Sequence, residues 1–152
     1  FTVNIGLIEN GIPTLGVVFA PALNRMFFAS TSTGAFEESA SGTKEIKIRA
    51  VPHSGPVAVA SVSHRDETTD EWLTINNVNK TISIGSSLKF CLVACGEADV
   101  YPRFGPTMEW DTAAGDAVLR SAGGKVLMPN SEPFNYGKQS YRNSAFIAHG
   151  NF

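Results

Sequence analysis

Asp111 and Thr112 come before a run of good helix formers, and the pair Gly123-Gly124 follows that run. Asp and Thr side chains cap helix starts and glycine ends helices, so the pattern predicts a capped helix of about three turns. A helix start presents unpaired backbone N–H groups and the positive end of the helix dipole, which favour negative charge. An ionised Asp111 could bind a hard cation there, or a phosphate oxygen could lie near it. Taken alone, an aspartate in this place is more often a cap than a ligand.

Side chains that suit an anionic ligand occur near other predicted helix and strand ends. Ser86 and Lys89 lie near one helix start, where a hydroxyl, an ammonium group and free backbone N–H groups could converge on one anion. His64 and Arg103 each come at or close to the end of a predicted strand, and ligands collect at the carboxyl ends of strands in open α/β sheets. A capping serine, a solvated lysine, a surface histidine and a solvated arginine are the structural alternatives.

The elements that must position these residues fall into two groups. In the first, alternating apolar residues and turn signals predict an antiparallel meander, with strands at 1–8, 15–20, 25–29 and 34–37. A polar connection is predicted from Ser39 to Lys44. Prolines and a glycine from 52 to 56 mark a boundary. We therefore expect the last strands of an N-terminal antiparallel sheet over residues 1–50 and a C-terminal α/β domain over residues 51–152.

In the second group, strands and helices alternate, which predicts a mixed sheet with flanking helices and an α/β fold class. The expected strands lie at 57–62, 81–84, 100–104, 125–128 and 145–148, and two helices are expected at 66–75 and 88–95 before the helix that follows Asp111. Small residues, Ala113, Ala114, Gly115 and Ala117, keep that last helix thin and predict close packing against a sheet.

Composition excludes several classes of partner. A net charge of -2 gives no reason to expect nucleic acid or an anionic membrane surface. No apolar run approaches the roughly 18 residues of a membrane span, so we expect no transmembrane segment. Cys91 and Cys95 have apolar neighbours on a predicted helix, and we expect buried free thiols in a reducing cytoplasm. Peripheral attachment at the inner membrane stays open.

The string Trp-Asp-Thr-Ala-Ala-Gly-Asp at 110–116, followed by the Gly-Gly helix end, resembles the C-terminal signature of the inositol monophosphatase superfamily of magnesium-dependent, lithium-sensitive phosphatases. The segment 85–103 is similar to the branch of CysQ-type 3′(2′),5′-bisphosphate nucleotidases. The likeness runs along essentially the whole chain, and its opening strand looks like the segment that follows the family's Asp-Pro-Leu-Asp-Gly-Thr motif. The resemblance implies the layered α+β sandwich of this family.

The resemblance also implies roles for particular residues. Asp111 matches a metal ligand, with Mg²⁺ as the cofactor, and His64, Ser86, Lys89 and Arg103 match residues that contact the nucleotide substrate beside it. The parent reaction implied is hydrolysis of 3′-phosphoadenosine 5′-phosphate, a bisphosphate nucleotide, to AMP and phosphate.

The Asp-Pro-Leu-Asp-Gly-Thr motif and the earlier Glu-Glu segment, which supply the family's other metal-binding carboxylates, do not occur in this sequence. Asp111 alone cannot hold the metal ions that such hydrolysis needs, and Glu109 and Asp116 do not complete a cluster. We therefore expect a C-terminal portion that works with the N-terminal half of the same enzyme and is inactive alone. An inositol or sugar phosphatase of the same superfamily, and a non-catalytic anion-binding fragment, are the alternatives.

Overall fold

The computed structural model describes residues 1–61 and 66–152. Within these ranges the strands are β1 (Val3–Glu9), β2 (Ile12–Ala20), β3 (Arg25–Ser30), β4 (Gly34–Ser39), β5 (Gly42–Glu45), β6 (Val57–Ala60), β7 (Lys80–Ser83), β8 (Val100–Arg103), β9 (Thr107–Met108), β10 (Lys125–Leu127), β11 (Arg142–Asn143) and β12 (Phe146–His149). The α-helices are α1 (Glu67–Ile75), α2 (Leu88–Ala94) and α3 (Glu109–Ser121).

The first sheet is an antiparallel meander in the order β1-β2-β3-β4-β5. Its first hairpin turns at Asn10 and Gly11, whose φ angles of 52° and 78° are those that a tight two-residue turn requires. The predicted polar connection from Ser39 to Lys44 is wrong, because this stretch forms most of a second tight hairpin that pairs β5 with β4. All four residues of β5 are exposed, so the strand lacks the apolar alternation by which a strand is recognised.

The second sheet has the order β10-β12-β8-β6-β7. Strand β6 is parallel to β7 and β8, whereas β12 is antiparallel to β8 and β10. The mixed sheet with flanking helices is therefore confirmed. Two short strands, β9 and β11, were not predicted and form a separate ribbon in which Thr107 faces Asn143.

Helix α3 packs closely against the first sheet, as its small residues predict. A Cβ atom added at Gly6 would lie 3.0 Å from the Ala114 backbone nitrogen, and one at Gly16 would lie 2.9 Å from the Ala117 Cβ. A Cβ atom at Gly115 would lie 2.7 Å from the Phe90 ring on α2. The helix is thus held between the first sheet and α2 by positions that have no room for a larger side chain.

The largest cluster of buried apolar side chains joins both groups of elements, from Val18 and Phe27 in the first sheet to Phe90 and Phe146 beside the second. The division of the chain into domains at residue 50 stays a prediction.

Cys91 is buried and Cys95 is half-buried, both as free thiols. Among the described residues, every helix is too short or too polar to span a membrane.

Candidate active site

A cavity of about 610 Å³ opens between the starts of α2 and α3, the end of β8 and the beginning of β1. Four of the five predicted site residues line it, namely Ser86, Lys89, Arg103 and Asp111. The fifth, His64, lies outside the described residues. The structure therefore brings together in one cavity residues that are up to 25 positions apart in the sequence.

The loop between β7 and α2 forms one wall of the cavity. Ser86 has a φ of 58°, in the left-handed region, and its carbonyl accepts a hydrogen bond from Lys89 Nζ at 3.0 Å. The next residue, Ser87, precedes the helix, but its hydroxyl donates to the carbonyl of Asp111 at 2.8 Å instead of capping α2. This hydrogen bond ties the start of α2 to the first turn of α3.

Lys89 places a buried positive charge beside the cavity. Its ammonium nitrogen also lies 3.4 Å from the carbonyl of Ile84 and 5.1 Å from the centre of the Tyr101 ring. Burial, and then the positive charge of Arg103, lower the pKa of Lys89 to about 8. A bound anion would relieve both effects, because an opposite charge nearby favours the protonated amine.

Arg103 lies at the end of β8, where the sequence places it, and is almost fully buried. Its guanidinium group donates from Nε to the carbonyl of Gly105 at 3.1 Å and from Nη2 to that of Pro106 at 3.2 Å. In residues 1–61 and 66–152, no carboxylate forms a salt bridge with Arg103 or Lys89. Hydrogen bonds from Thr69 and, to a smaller extent, the charge of Arg103 lower the pKa of Asp66.

Asp111 also lines the cavity, from the first turn of α3. The prediction that it precedes the helix is wrong, since α3 begins at Glu109 and Asp111 is its third residue. The helix extends back because Asp111 Oδ2 accepts the Met108 N–H at 2.8 Å, which satisfies a donor at the helix start. The side chain is exposed, and Oδ1 has no hydrogen-bond partner among the described residues.

The other acidic residues of α3, Glu109 and Asp116, form hydrogen bonds and ion pairs within the protein. Burial would raise the pKa of Glu109, but hydrogen bonds from Lys138 and Gly137 outweigh it and lower that pKa. Asp116 is completely buried and accepts from Arg120 Nε at 2.6 Å and from the Tyr136 hydroxyl at 2.9 Å. In the part of the chain that the structure describes, no group of three or more potential metal ligands occurs.

Asp111 nevertheless fits a metal site as one ligand. A free carboxylate oxygen at an open cavity is the donor that Mg²⁺ prefers, and Mg²⁺ in phosphate-binding sites is commonly held by one or two carboxylates together with the phosphate itself. The cations of Lys89 and Arg103 and the carboxylate of Asp111, which line one cavity, suit a phosphate group bound together with a metal ion.

Sequence reasoning missed several residues of the cavity, among them Asn4, Tyr101, Thr107 and Thr112. For two of them the signal was present. Tyr101 is two residues before Arg103 on a strand and therefore lies on the same face, and Asn4 is a polar residue within an alternating apolar strand.

Comparison with known proteins decides the family, because the model for the inositol monophosphatase family matches residues 1–151. The chain belongs to this family. The 3′(2′),5′-bisphosphate nucleotidase CysQ of Escherichia coli K12 is 48% identical over 148 residues, which are 96% of this chain and 58% of that protein. The CysQ nucleotidase of Buchnera aphidicola is 44% identical over 151 residues, or 97% of this chain and 56% of that protein. The chain thus spans less than two thirds of these family members.

Solved structures of the family share the fold. CysQ from Bacteroides thetaiotaomicron, described as a bacterial member of the inositol monophosphatase family, superposes with a TM-score of 0.90 at 37% identity over 99% of this chain and 63% of that one. The inositol monophosphatase from Anabaena gives a TM-score of 0.78 at 28% identity over 99% of this chain and 61% of that one. The layered α/β sandwich expected from the sequence is confirmed.

Proposed function

We propose that this chain is part of a Mg²⁺-dependent phosphatase that hydrolyses 3′(2′),5′-bisphosphate nucleotides, converting 3′-phosphoadenosine 5′-phosphate to AMP and phosphate. The observation that carries the assignment is the 48% identity, over 96% of the chain, to a protein named 3′(2′),5′-bisphosphate nucleotidase. We place the reaction in the cavity between Lys89, Arg103 and Asp111, and in the cytoplasm of the cell.

The charges of the cavity support phosphate-ester chemistry. Lys89 and Arg103 would bind phosphate oxygens and offset the negative charge that they carry in the transition state. Asp111 Oδ1 would hold one Mg²⁺, and Ser86 and His64 complete the proposed contacts with the nucleotide. A bound Mg²⁺ would activate water as the nucleophile and neutralise the leaving oxygen.

One carboxylate does not make a complete metal site for this chemistry. We infer that further carboxylates come from the N-terminal half of the same enzyme. The nucleotidase of Escherichia coli, of which this chain spans 58%, is long enough to contain such a half. On this basis the 152-residue chain alone holds no complete catalytic centre.

Phosphate release from 3′-phosphoadenosine 5′-phosphate in the presence of Mg²⁺ tests the proposal. We expect turnover by the full-length protein and none by the 152-residue chain. Activity of the isolated chain would contradict the inference that carboxylates are supplied from elsewhere, and an inactive full-length protein would contradict the proposed reaction.

Substitution of Lys89 by alanine in the full-length protein separates the nucleotidase from an inositol or sugar phosphatase. We expect kcat/KM for the bisphosphate nucleotide to fall further than kcat/KM for inositol monophosphate. The reverse pattern would favour the alternative substrate class. Lys125→Ala, which removes an exposed lysine at the start of β10, is the matched control and should change neither activity.

A further inference from the structure

A buried set of hydrogen bonds lies directly beneath the cavity, around Thr112. Thr112 follows Asp111 in α3, lines the cavity and is 2% exposed. Its hydroxyl accepts from Asn143 Nδ2 at 3.1 Å, and its single proton faces two oxygens at 3.2 Å, the carbonyl of Glu109 and the hydroxyl of Tyr136. A single side chain in the first turn of α3 is thus surrounded by three polar partners.

The direction of one of these contacts follows from proton counting. Tyr136 has one hydroxyl proton, and the Asp116 carboxylate, which is paired with Arg120, can only accept it. The proton therefore goes to Asp116, and the Tyr136 oxygen accepts the Thr112 proton, which it shares with the carbonyl of Glu109 at the same distance of 3.2 Å. The buried Asp116–Arg120 pair thereby fixes the orientation of Tyr136 beneath the cavity.

Asn143 makes the second connection, from β11 on the far side of α3. Its amide nitrogen lies 3.1 Å from the hydroxyls of both Thr107 and Thr112, and its Oδ1 accepts from Lys138 Nζ at 3.1 Å. Both threonines line the cavity, and Asn143 itself is 6% exposed. All polar atoms of this amide side chain are therefore engaged, and its geometry is fixed.

The two threonines bracket the hydrogen bond that holds Asp111. Thr107 immediately precedes Met108, whose N–H is bound by Asp111 Oδ2, and Thr112 immediately follows Asp111. The Asn143 amide therefore fixes the chain on both sides of that bond. The junction of β9 and α3 is held besides by the bond from Ser87 to Asp111 and by the Glu109 carboxylate, which accepts from Gly137 and Lys138 outside the cavity.

We propose that Asn143 and Tyr136 are positioning residues that aim Asp111 Oδ1 into the cavity for metal binding, which rests on the proposed role of Asp111 as a metal ligand. Neither residue lines the cavity, so Asn143 acts through Thr107 and Thr112, and Tyr136 acts through Thr112. Residues that orient metal ligands in this way commonly contribute 10- to 100-fold, as an order of magnitude, to metal affinity.

The test measures Mn²⁺ binding to the full-length protein, by the spin-resonance signal of free Mn²⁺, together with the Mg²⁺ concentration for half-maximal activity. For Asn143→Ala and Tyr136→Phe we expect Mn²⁺ affinity to fall about tenfold, with an equal rise in the Mg²⁺ requirement. The matched controls are Asn135→Ala and Tyr141→Phe in the same loop, whose side chains are exposed and form no hydrogen bond among the described residues. They should bind Mn²⁺ like the unsubstituted protein.

Thermal unfolding separates positioning from a merely structural role. A lower unfolding temperature with unchanged Mn²⁺ affinity well below that temperature would overturn the proposal. If Asn143→Ala does not fold, the isosteric Thr107→Val removes only one hydroxyl of the set, and a smaller loss of Mn²⁺ affinity is expected; an unchanged affinity in that variant would also count against the proposal. Because metal binding is measured without substrate, failure of the protein to hydrolyse the nucleotide would contradict the proposed reaction alone.

Discussion

Helix α3 meets the first sheet and the loop after β10 by two different kinds of contact. On the sheet side, Gly6 and Gly16 bring strand backbone against the backbone of Ala114. On the loop side, Thr112 and Asp116 form directed hydrogen bonds with buried side chains. Close apolar packing fixes where the helix lies, whereas hydrogen bonds fix how its polar groups are oriented. The two sides should therefore respond differently to substitution.

The sharpest test of this difference is Asp111→Asn in the full-length protein. We expect activity to fall by at least about 100-fold, because the carboxylate charge that would hold the metal is lost. The unfolding temperature should change little, since the amide oxygen can still accept the Met108 N–H. Steady-state phosphate release and thermal unfolding measure the two effects. A large loss of stability would show that Asp111 serves mainly as a cap.

On the sheet side, Gly16→Ala should act on stability. The added Cβ would overlap the carbonyl oxygen of Ala114, which belongs to the helix backbone and cannot rotate away. We expect the free energy of unfolding to fall by about 3 kcal/mol, at the upper end for overpacking. Gly85→Ala is the matched control, because its Cβ would meet open space and should leave the denaturation midpoint unchanged. Equal midpoints for both variants would contradict the close contact.

The second aspartate of α3 provides a comparison within one helix. Asp116→Asn retains the shape of the side chain but removes the negative charge of the carboxylate, which pairs with Arg120 and accepts a hydrogen bond from Tyr136. We expect a loss of about 2 kcal/mol in the free energy of unfolding, typical of a hydrogen bond to a charged group. Denaturant titration measures it, beside Asp111→Asn. If Asp111→Asn were less stable than Asp116→Asn, this would contradict the expectation that the buried aspartate contributes more to stability than the exposed one.

The smallest expected effect is a pH dependence from Lys89, whose pKa is lowered to about 8 mainly by burial. Its ammonium is charged below that pH and loses its charge as the pH rises through about 8, so phosphate binding should weaken by up to tenfold for each pH unit above that value. Lys89→Arg should remove this dependence, because arginine stays charged. An unchanged profile in Lys89→Arg would assign the dependence to another group.

The lowered pKa of Lys89 also affects stability, which should rise with pH where phosphate binding falls. Between about 8 and the ordinary lysine pKa of 10.5, the unfolded chain binds more protons than the folded protein does. The free energy of unfolding contributed by Lys89 therefore rises as the pH increases through this window. Denaturant titrations of the unsubstituted protein and of Lys89→Arg at pH 8 and 10 would measure it.

The elements with a strong local pattern could be predicted from the sequence. The Asn10-Gly11 hairpin, the buried strand β6 and the thin helix α3 each follow from neighbouring residues. The place of Arg103 at the cavity follows from the rule that ligands collect at strand ends, and that of Lys89 follows from its position near a helix start. The fully exposed β5 gave no apolar alternation, and the helix start was misplaced because Asp111 caps Met108 from inside the helix.

The contacts that support the candidate site could not be predicted. Tyr136 and Asn143 bond to Thr112 across 24 and 31 residues, within a polar stretch that has no periodic pattern. Such contacts depend on how β10, β12 and α3 pack together. Hydrogen bonds between side chains that are distant in sequence do not affect the spacing of residue types along the chain. Nothing in that stretch therefore marks Tyr136 or Asn143 as a partner of α3.

Gly16 lies against the peptide group of Ala114, and this contact sets a distance between β2 and α3 that a change of side-chain rotamer cannot alter. Replacing core side chains such as Val18 or Phe27 would change how the space around α3 is filled, but β2 and α3 meet through the backbone of Ala114 and the Cβ atom of Ala117. The position of the start of α3 at the cavity therefore depends little on which side chains fill the core. A protein built in this way can accumulate changes in its interior while the position of the Asp111 carboxylate at the cavity stays constant.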